Sequence, residues 1–160
     1  MTTATSDTIV VQDFAALQKL VTAMVQPVLA AKLEVEEWHP IMLAMEDAHQ
    51  SYFDNNAGPD GEQWPKLSPV TVALKGHGTI LVDEGSLKES LTDAFAPDAI
   101  REKTLDEIVF GTSRINASIH QEGEGRIPTR SHTGFNEQLI SECADLVADA
   151  FISKMMNVKP

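Results

Sequence analysis

Apolar residues recur at the three- and four-residue spacing of an amphipathic helix in three parts of the chain. The first part covers residues 14–28, where Pro27 predicts a break. The second covers residues 38–52, and Pro40 either begins that helix or kinks it. The third covers residues 136–151. The pattern therefore predicts helices in the first third of the chain and at its C-terminal end.

The middle of the chain consists of short segments separated by turn residues. The sequence DNNAGPDG at residues 54–61 must end the second helix. Ser68 can cap a short helix through about Lys75, with Pro69 at the favoured first position. Strand-like segments follow at residues 79–82, 87–95 and 108–111, and residues 113–122 are expected to be strand or mixed structure.

This order of segments predicts an α+β fold in which helices at both ends flank a small, mostly antiparallel sheet. Residues 1–10 are expected to form a flexible tail, so that one domain covers residues 11–160. The single cysteine, Cys143, excludes an internal disulfide and a Cys-based zinc site, and its place in the third helix indicates a buried thiol. The apolar stripe of that helix comprises Leu139, Ile140, Cys143, Leu146, Val147, Ala150 and Phe151.

The net charge of −12, from 12 basic and 24 acidic residues, argues against two classes of partner. Nucleic-acid binding requires clustered Lys and Arg, and the sequence contains no basic run. An acidic chain is also repelled by an anionic membrane surface, and no stretch approaches the roughly 18 apolar residues of a membrane span. We therefore expect neither sustained nucleic-acid binding nor membrane association.

The sequence shows no pattern of catalytic or metal-binding residues. Its five histidines include no pair at i, i+4 and no HExxH motif, and His49, beside Glu46 and Asp47, is expected on a solvated helix face. DNNAGPDGE fails as a calcium loop, because counting from Asp54 places Pro59 where the loop requires Gly. The motifs GxSxG, GxxxxGK[ST] and GxGxxG are absent. We therefore expect no enzyme activity, no metal and no cofactor.

Two stretches of the chain carry short motifs in an unusual order. Residues 53–91 contain GPDGEQWPKLSPVTVALKG and ILVDEGSLKESL, and residues 108–134 contain IVFGT, ASIHQEG and RIPTR. In this order the motifs resemble the phage virion morphogenesis family, the tail-completion proteins of Mu-like and P2-like phages. The pattern falls on Gly61, Trp64, Leu67, Thr71, Lys75, Leu81, Gly85, Leu87, Ser90, Leu91, Gly111, Thr112, His120, Gln121, Gly123, Ile127, Pro128 and Arg130.

The chain departs from the family pattern at two places. Asn116 stands where members commonly carry an aromatic residue, and residues 131–134 read Ser-His-Thr-Gly where many carry a Pro-Phe-Leu-Gly-like segment. These departures put in question the packing around Asn116 and the route of the loop after Arg130.

The resemblance implies roles for individual residues. Trp64 is expected to anchor the corner between helix and sheet, or to be ordinary core, and Gly85 and Gly123 to occupy positions that exclude a side chain. His120 and Gln121 either bond backbone groups near the RIPTR loop or face a neighbouring subunit. Further structural positions are expected at Leu67, Leu87, Gly111 and Pro128.

Arg130, together with His120, is the candidate for a contact between subunits. The guanidinium fork of Arg130 suits a carboxylate, which an acidic chain readily supplies. Exposure of Arg130 without a partner is the alternative.

The resemblance implies a structural virion protein. Copies are expected to form a ring, which the resemblance implies to be a hexamer, around the DNA channel at the neck or upper tail end, so that genomic DNA passes without sequence-specific binding. Other neck, tail-terminator or head-connector proteins are the expected partners, and assembly would take place in the host cytoplasm. A transient assembly chaperone absent from the mature virion, or an unrecognised hydrolase, are the alternatives.

Overall fold

The computed structural model describes residues 34–104 and 107–157. A 3₁₀ helix (Val35–Trp38) precedes α1 (His39–Asn55), α2 (Pro69–Lys75), α3 (Ser86–Thr92), β1 (Ala99–Lys103), β2 (Ile108–Thr112), α4 (Ala117–Glu122) and α5 (Glu137–Asn157). This order confirms the predicted α+β fold and its C-terminal helix. The predicted tail, the first predicted helix, its break at Pro27 and the domain boundary at residue 11 lie outside the described residues.

Local sequence sets both ends of α1. Pro40 lies in the first turn, where its missing N–H costs nothing, so it begins the helix rather than kinking it. Asn56 ends the helix in the left-handed conformation, with a φ of 50°, and its backbone N–H donates to the carbonyl of Phe53. The turn predicted at residues 54–61 therefore ends this helix as expected.

Helix α2 has the predicted N-terminal cap. The Ser68 hydroxyl accepts a hydrogen bond from the backbone N–H of Thr71 at 3.1 Å, and Pro69 occupies the first turn. At the other end, Gly76 adopts the left-handed conformation and its N–H donates to the carbonyl of Val72. The predicted short helix is confirmed.

The strand predicted at residues 87–95 is wrong, because this segment forms α3. Leu87, Ser90 and Leu91 recur at helical spacing and are all buried, and Gly85 precedes the helix with a φ of 90°. A short apolar run fits either a strand or a buried helix face, and packing against α1 decides in favour of the helix.

The strand predicted at residues 79–82 is also wrong. This segment is a turn in which Leu81 has a φ of 57°, outside the strand region. The ammonium group of Lys75 donates hydrogen bonds to the carbonyls of Thr79 and Val82 and so holds both ends of the turn. In residues 113–122, where strand or mixed structure was expected, the last six residues form the helix α4.

Strands β1 and β2 form a two-stranded antiparallel sheet, with Ala99 opposite Thr112 and Lys103 opposite Ile108. The strand predicted at residues 108–111 is confirmed as β2. Strand β1 was not predicted, because its residues AIREK include three charged side chains and carry no strong strand propensity.

A buried ion pair attaches the sheet to α1. Nε of Arg101 donates to Oε1 of Glu46 at 2.9 Å, and these side chains are 8% and 12% exposed. The guanidinium carbon also lies 3.8 Å from the centre of the Phe110 ring, and Nη1 donates to the carbonyls of Ile100 and Gly111. Because a buried charge without its partner is strongly unfavourable, the pair holds β1 in position against α1.

Helix α1 contributes to two hydrophobic clusters. In the first, Ile41, Ala44 and Met45 pack against Leu139 of α5. The rest of the stripe predicted for α5 packs around this cluster through Cys143, Leu146, Val147, Ala150 and Phe151. Ile140 is the exception, since its side chain is 56% exposed. Within the described part of the chain, no helix is both long and apolar enough to cross a membrane.

The second cluster joins the C-terminal end of α1 to α3 and to the turn that follows α1. Its buried members are Tyr52, Phe53, Trp64, Leu87 and Leu91. Leu91 is completely buried, and Phe53 and Trp64 meet edge to face with ring centres 5.4 Å apart. The loops of the candidate site lie on this cluster, which holds them in position.

Candidate functional site

The side-chain amide of Gln121, in α4, holds the loop that follows the RIPTR motif. Its Nε2 donates to Oγ of Ser131 at 3.0 Å and to the carbonyl of Thr133 at 2.9 Å. Its Oε1 accepts from the backbone N–H groups of His132 at 2.9 Å and Thr133 at 3.1 Å. Both donors and both lone pairs of the amide are thus used. These bonds correspond to the first of the two roles expected for Gln121, which is hydrogen bonding to backbone groups near the RIPTR loop.

Trp64 also supports this loop. Its indole Nε1 donates to the carbonyl of Ser131 at 2.7 Å, and the side chain is 5% exposed. The hydroxyl of Tyr52 donates to the carbonyl of Gly134 at 3.4 Å. At Gly58, an added Cβ would lie 2.9 Å from the Ser131 carbonyl, so only glycine lets the two backbones approach this closely. Trp64 is therefore both core and anchor.

Arg130 is buried and bonded within the chain. Its Nε donates to the carbonyl of Pro65 at 2.9 Å and its Nη2 to that of Lys66 at 3.4 Å, while its backbone N–H donates to the carbonyl of His120 at 2.7 Å. The side chain is only 5% exposed, and burial lowers its pKa. The alternative of an exposed, unpartnered Arg130 is therefore wrong, since burial and two carbonyl acceptors hold the guanidinium.

His120 lies at the edge of a cleft next to Arg130. Its Nδ1 is buried, and no group in the described residues bonds it. Burial lowers the pKa of His120, and the positive charges of Arg130 and Lys75 lower it further. The imidazole is thus favoured in its neutral form beside two cations.

The cleft has a volume of about 270 Å³ and lies among α2, α3 and α4. Most of its lining residues belong to the motifs that carry the family resemblance. Those residues are Leu67, Thr71, Lys75, Leu81, Gly85, Leu87, His120 and Arg130, and the others are Asp83, Glu84, Ser86, Arg114 and Asn116. The structure therefore brings to one place residues that lie up to 63 positions apart, from Leu67 to Arg130.

The other predicted positions have structural surroundings. Gly123 has a φ of 78°, and an added Cβ would lie 2.8 Å from Oγ1 of Thr129, so this position excludes a side chain as expected. Gly111 lies in β2 opposite Ile100, and Pro128 is exposed in the loop. None of these three residues lines the cleft.

Two buried histidines were not recognised in the sequence. His49, expected on a solvated face, is 2% exposed, because it continues the inner face of α1 beneath the ring of Phe110, 4.7 Å away. His132 is 1% exposed and its Nδ1 is bonded to the carbonyl of Arg130 at 3.0 Å. The signal for His49 was its position four residues after Met45, on the apolar side of the helix.

The described residues contain no group of three or more His, Cys, Asp or Glu side chains that could hold a metal ion. Cys143 is partly buried, and burial followed by the charge of Glu142 raises the pKa of its thiol, which makes it a poor nucleophile. The side chains of this site instead hold one loop and one cleft in shape through hydrogen bonds to the backbone.

Replacing Gln121 with leucine is expected to lower the free energy of unfolding by about 2 kcal/mol, because buried backbone groups of the 131–133 loop lose their partners. Urea unfolding followed by circular dichroism measures the change. Gln138→Leu is the matched control, since Gln138 is exposed on α5, and it should stay within about 0.5 kcal/mol of the original chain. Equal effects of the two changes would contradict the bracing role.

The comparisons with known proteins agree with the motifs that line the cleft. The family model of the phage virion morphogenesis family matches residues 16–151, which is most of the chain. No curated protein and no solved structure matches the chain.

Proposed function

Since the chain belongs to the phage virion morphogenesis family, it acts in the structure or assembly of a phage particle, and we propose that it does so as a tail-completion component of the neck. In this role it would join the upper end of the tail to the head. The family match covers the whole described part of the chain except its last six residues, so the proposal concerns this fold and not an appended segment.

One observation favours an assembly role over catalysis. The motif residues of the family converge on a braced loop and a cleft, where Gln121, Trp64 and Arg130 bond backbone groups. Such contacts give a surface of fixed shape, which a repeated protein–protein contact requires. The activated nucleophile and base of a hydrolase would instead lie within hydrogen-bond reach of each other and open to a substrate.

A neck component that surrounds a channel would assemble as a ring of identical copies, with a hexamer as the expected state. Each interface in such a ring is heterologous, so the donor surface of one copy differs from the acceptor surface of the next. The net charge of −12 suits a channel through which DNA passes, because a wall of carboxylates repels phosphate. A basic lumen in an assembled ring would contradict this use of the charge.

Electron microscopy of lysates from the phage with this gene deleted tests the proposal. We expect filled heads and separate tails of complete length that fail to join, and joining restored by the gene supplied in trans. Infectious particles of normal appearance would contradict a role in tail completion. Mass spectrometry of purified virions completes the test, since absence of the chain from particles would instead indicate a transient chaperone.

A further inference from the structure

The cleft described above contains two cations that no described carboxylate neutralises. Lys75 donates to the carbonyls of Thr79 and Val82, and Arg130 donates to those of Pro65 and Lys66. Within residues 34–104 and 107–157, neither side chain lies within 4.0 Å of a carboxylate oxygen. Among the described residues, the groups that accept hydrogen bonds from these two side chains are backbone carbonyls.

Two acidic residues also line the cleft but form no ion pair with Lys75 or Arg130. Asp83 and Glu84 line it, but both are exposed and neither is within ion-pair distance of Lys75 or Arg130. Arg114, the third cation, is already paired with Asp98 outside the cleft, at 3.0 Å. Lys75 and Arg130 are thus the cations of the cleft that have no carboxylate partner among the described residues.

An anion that entered the cleft would be stabilised more strongly there than at an exposed lysine. Arg130 is 5% exposed, and a buried cation without a counter-ion is costly, so its pairing with an incoming anion recovers that cost. The effect of Lys75 and Arg130 on the pKa of His120 indicates that both charges act at the same point. Ser86 and Asn116 provide uncharged polar groups at the edge.

We propose that this cleft receives a carboxylate side chain from a neighbouring copy of the chain, an inference that rests on the proposed ring. Each copy carries 24 acidic residues, any exposed one of which can supply the carboxylate. The volume of about 270 Å³ admits a side chain but not a folded element. The net charge of −12 disfavours a nucleic-acid phosphate as the occupant.

The replacement Asn116→Asp tests the proposal, because it adds one negative charge in the cleft with almost no change in shape. Asn116 is exposed, precedes α4 and makes no capping hydrogen bond, so the fold should tolerate the change. Asn136→Asp is the matched control. Asn136 caps α5 through its Oδ1, a bond that aspartate also makes, and it lies outside the cleft.

Sedimentation velocity of the purified full chain at low and high salt gives the readout. We expect the original chain and Asn136→Asp to associate equally and more weakly in high salt, and Asn116→Asp to associate at least about tenfold more weakly, with an unchanged melting temperature. Association of Asn116→Asp equal to that of the control would overturn the proposal. A chain that remains monomeric at all concentrations up to about 100 μM would also overturn it.

A photo-crosslinking residue at position 116 identifies the occupant. We expect a crosslink to an Asp- or Glu-containing peptide of a second copy, established by mixing isotopically light and heavy chains. A crosslink exclusively to a different virion protein would overturn the choice of a second copy. Binding of inorganic phosphate that shifts the His120 ring signals and leaves association unchanged would indicate a site for a free anion and would also overturn it.

Complementation of the deletion phage separates this proposal from the function on which it rests. If the deletion leaves particles joined, the proposed function fails, whatever the cleft binds. If the original gene and Asn116→Asp both restore joining while the deletion abolishes it, the function stands and the cleft proposal fails. If Asn136→Asp restores joining and Asn116→Asp does not, both the proposed function and the cleft proposal are supported.

Discussion

Replacing Trp64 with alanine is expected to lower the free energy of unfolding by about 4 kcal/mol, the largest effect of any single change considered for this chain. The indole is 5% exposed, packs edge to face on Phe53 and belongs to the second cluster with Leu91. Its removal leaves a cavity in that cluster and deprives the Ser131 carbonyl of its donor. Chemical denaturation followed by circular dichroism measures the loss.

Trp64→Phe separates the hydrogen bond from the packing, and the chain provides a control in its second tryptophan. Phenylalanine keeps an aromatic ring against Phe53 but cannot donate to Ser131, so a loss of about 1–2 kcal/mol is expected. Trp38→Phe should cost less, because the buried Nε1 of Trp38 has no partner in the described residues and its removal breaks no bond. A larger loss for Trp38→Phe than for Trp64→Phe would contradict the anchoring role.

Stability is expected to fall by about 2 kcal/mol between pH 7.5 and pH 5, and by about 3 kcal/mol by pH 4, because of His49 alone. Burial lowers the pKa of His49 to about 4, from an ordinary value of 6.5, against the opposing effect of its bond to the Met45 carbonyl. The unfolded chain binds the proton first as the pH falls. The stabilisation is therefore complete above pH 6.5 and is lost progressively down to about pH 4.

The groups around His49 reinforce this direction. The charges of Arg101 and His132 also lower its pKa, and the pKa of His132 is itself lowered by burial, so both histidines favour the neutral form. The carbonyl of Met45 can only accept, which places the proton of neutral His49 on Nδ1. The hydrogen bond from Lys154 lowers the pKa of Glu37 below its ordinary value of 4.5. Protonation of such a carboxylate therefore changes the stability at a more acidic pH than protonation of His49 does.

Urea unfolding at several pH values between 7.5 and 4.5 tests this expectation, with His49→Phe as the comparison. Phenylalanine keeps a ring against Tyr52 and Phe110 but has no proton to bind, so the loss of stability between pH 7.5 and pH 5 should become about 2 kcal/mol smaller. The pH dependence that remains comes from His120 and His132, whose pKa values burial also lowers. Equal slopes for the two proteins would show that His49 does not carry the effect.

Local sequence was sufficient wherever a helix boundary depends on neighbouring residues. Asn56 at the end of α1, and Ser68 and Gly76 around α2, act through hydrogen bonds that span three or four positions. The sequence left open whether Pro40 begins α1 or kinks it, and the structure shows that it begins the helix. The buried face of α5 could likewise be predicted from the helical spacing of its apolar residues, except at Ile140, which is exposed. The order of the motifs was also sufficient to indicate the family, which the match to residues 16–151 supports.

Short segments could not be assigned in this way, because their state depends on what they pack against. Residues 87–92 are helical since Leu87 and Leu91 meet the second cluster, and the charged strand β1 exists because β2 pairs with it and Glu46 binds Arg101. Runs of five to seven residues hold too little periodic information to separate these outcomes.

The amino-acid sequence by itself thus determined the helices with strong caps, the acidic character and the family motifs of this chain. The tertiary structure alone decided which of those motifs meet. Trp64 and Ser131 are 67 positions apart, and Arg130 and Pro65 are 65 apart, yet both pairs are hydrogen-bonded. Such contacts depend on the path of the whole backbone, and so do the burial of His49 and the meeting of Lys75 and Arg130 in one cleft. Local patterns carry no information about that path, because they describe only neighbours within a few residues.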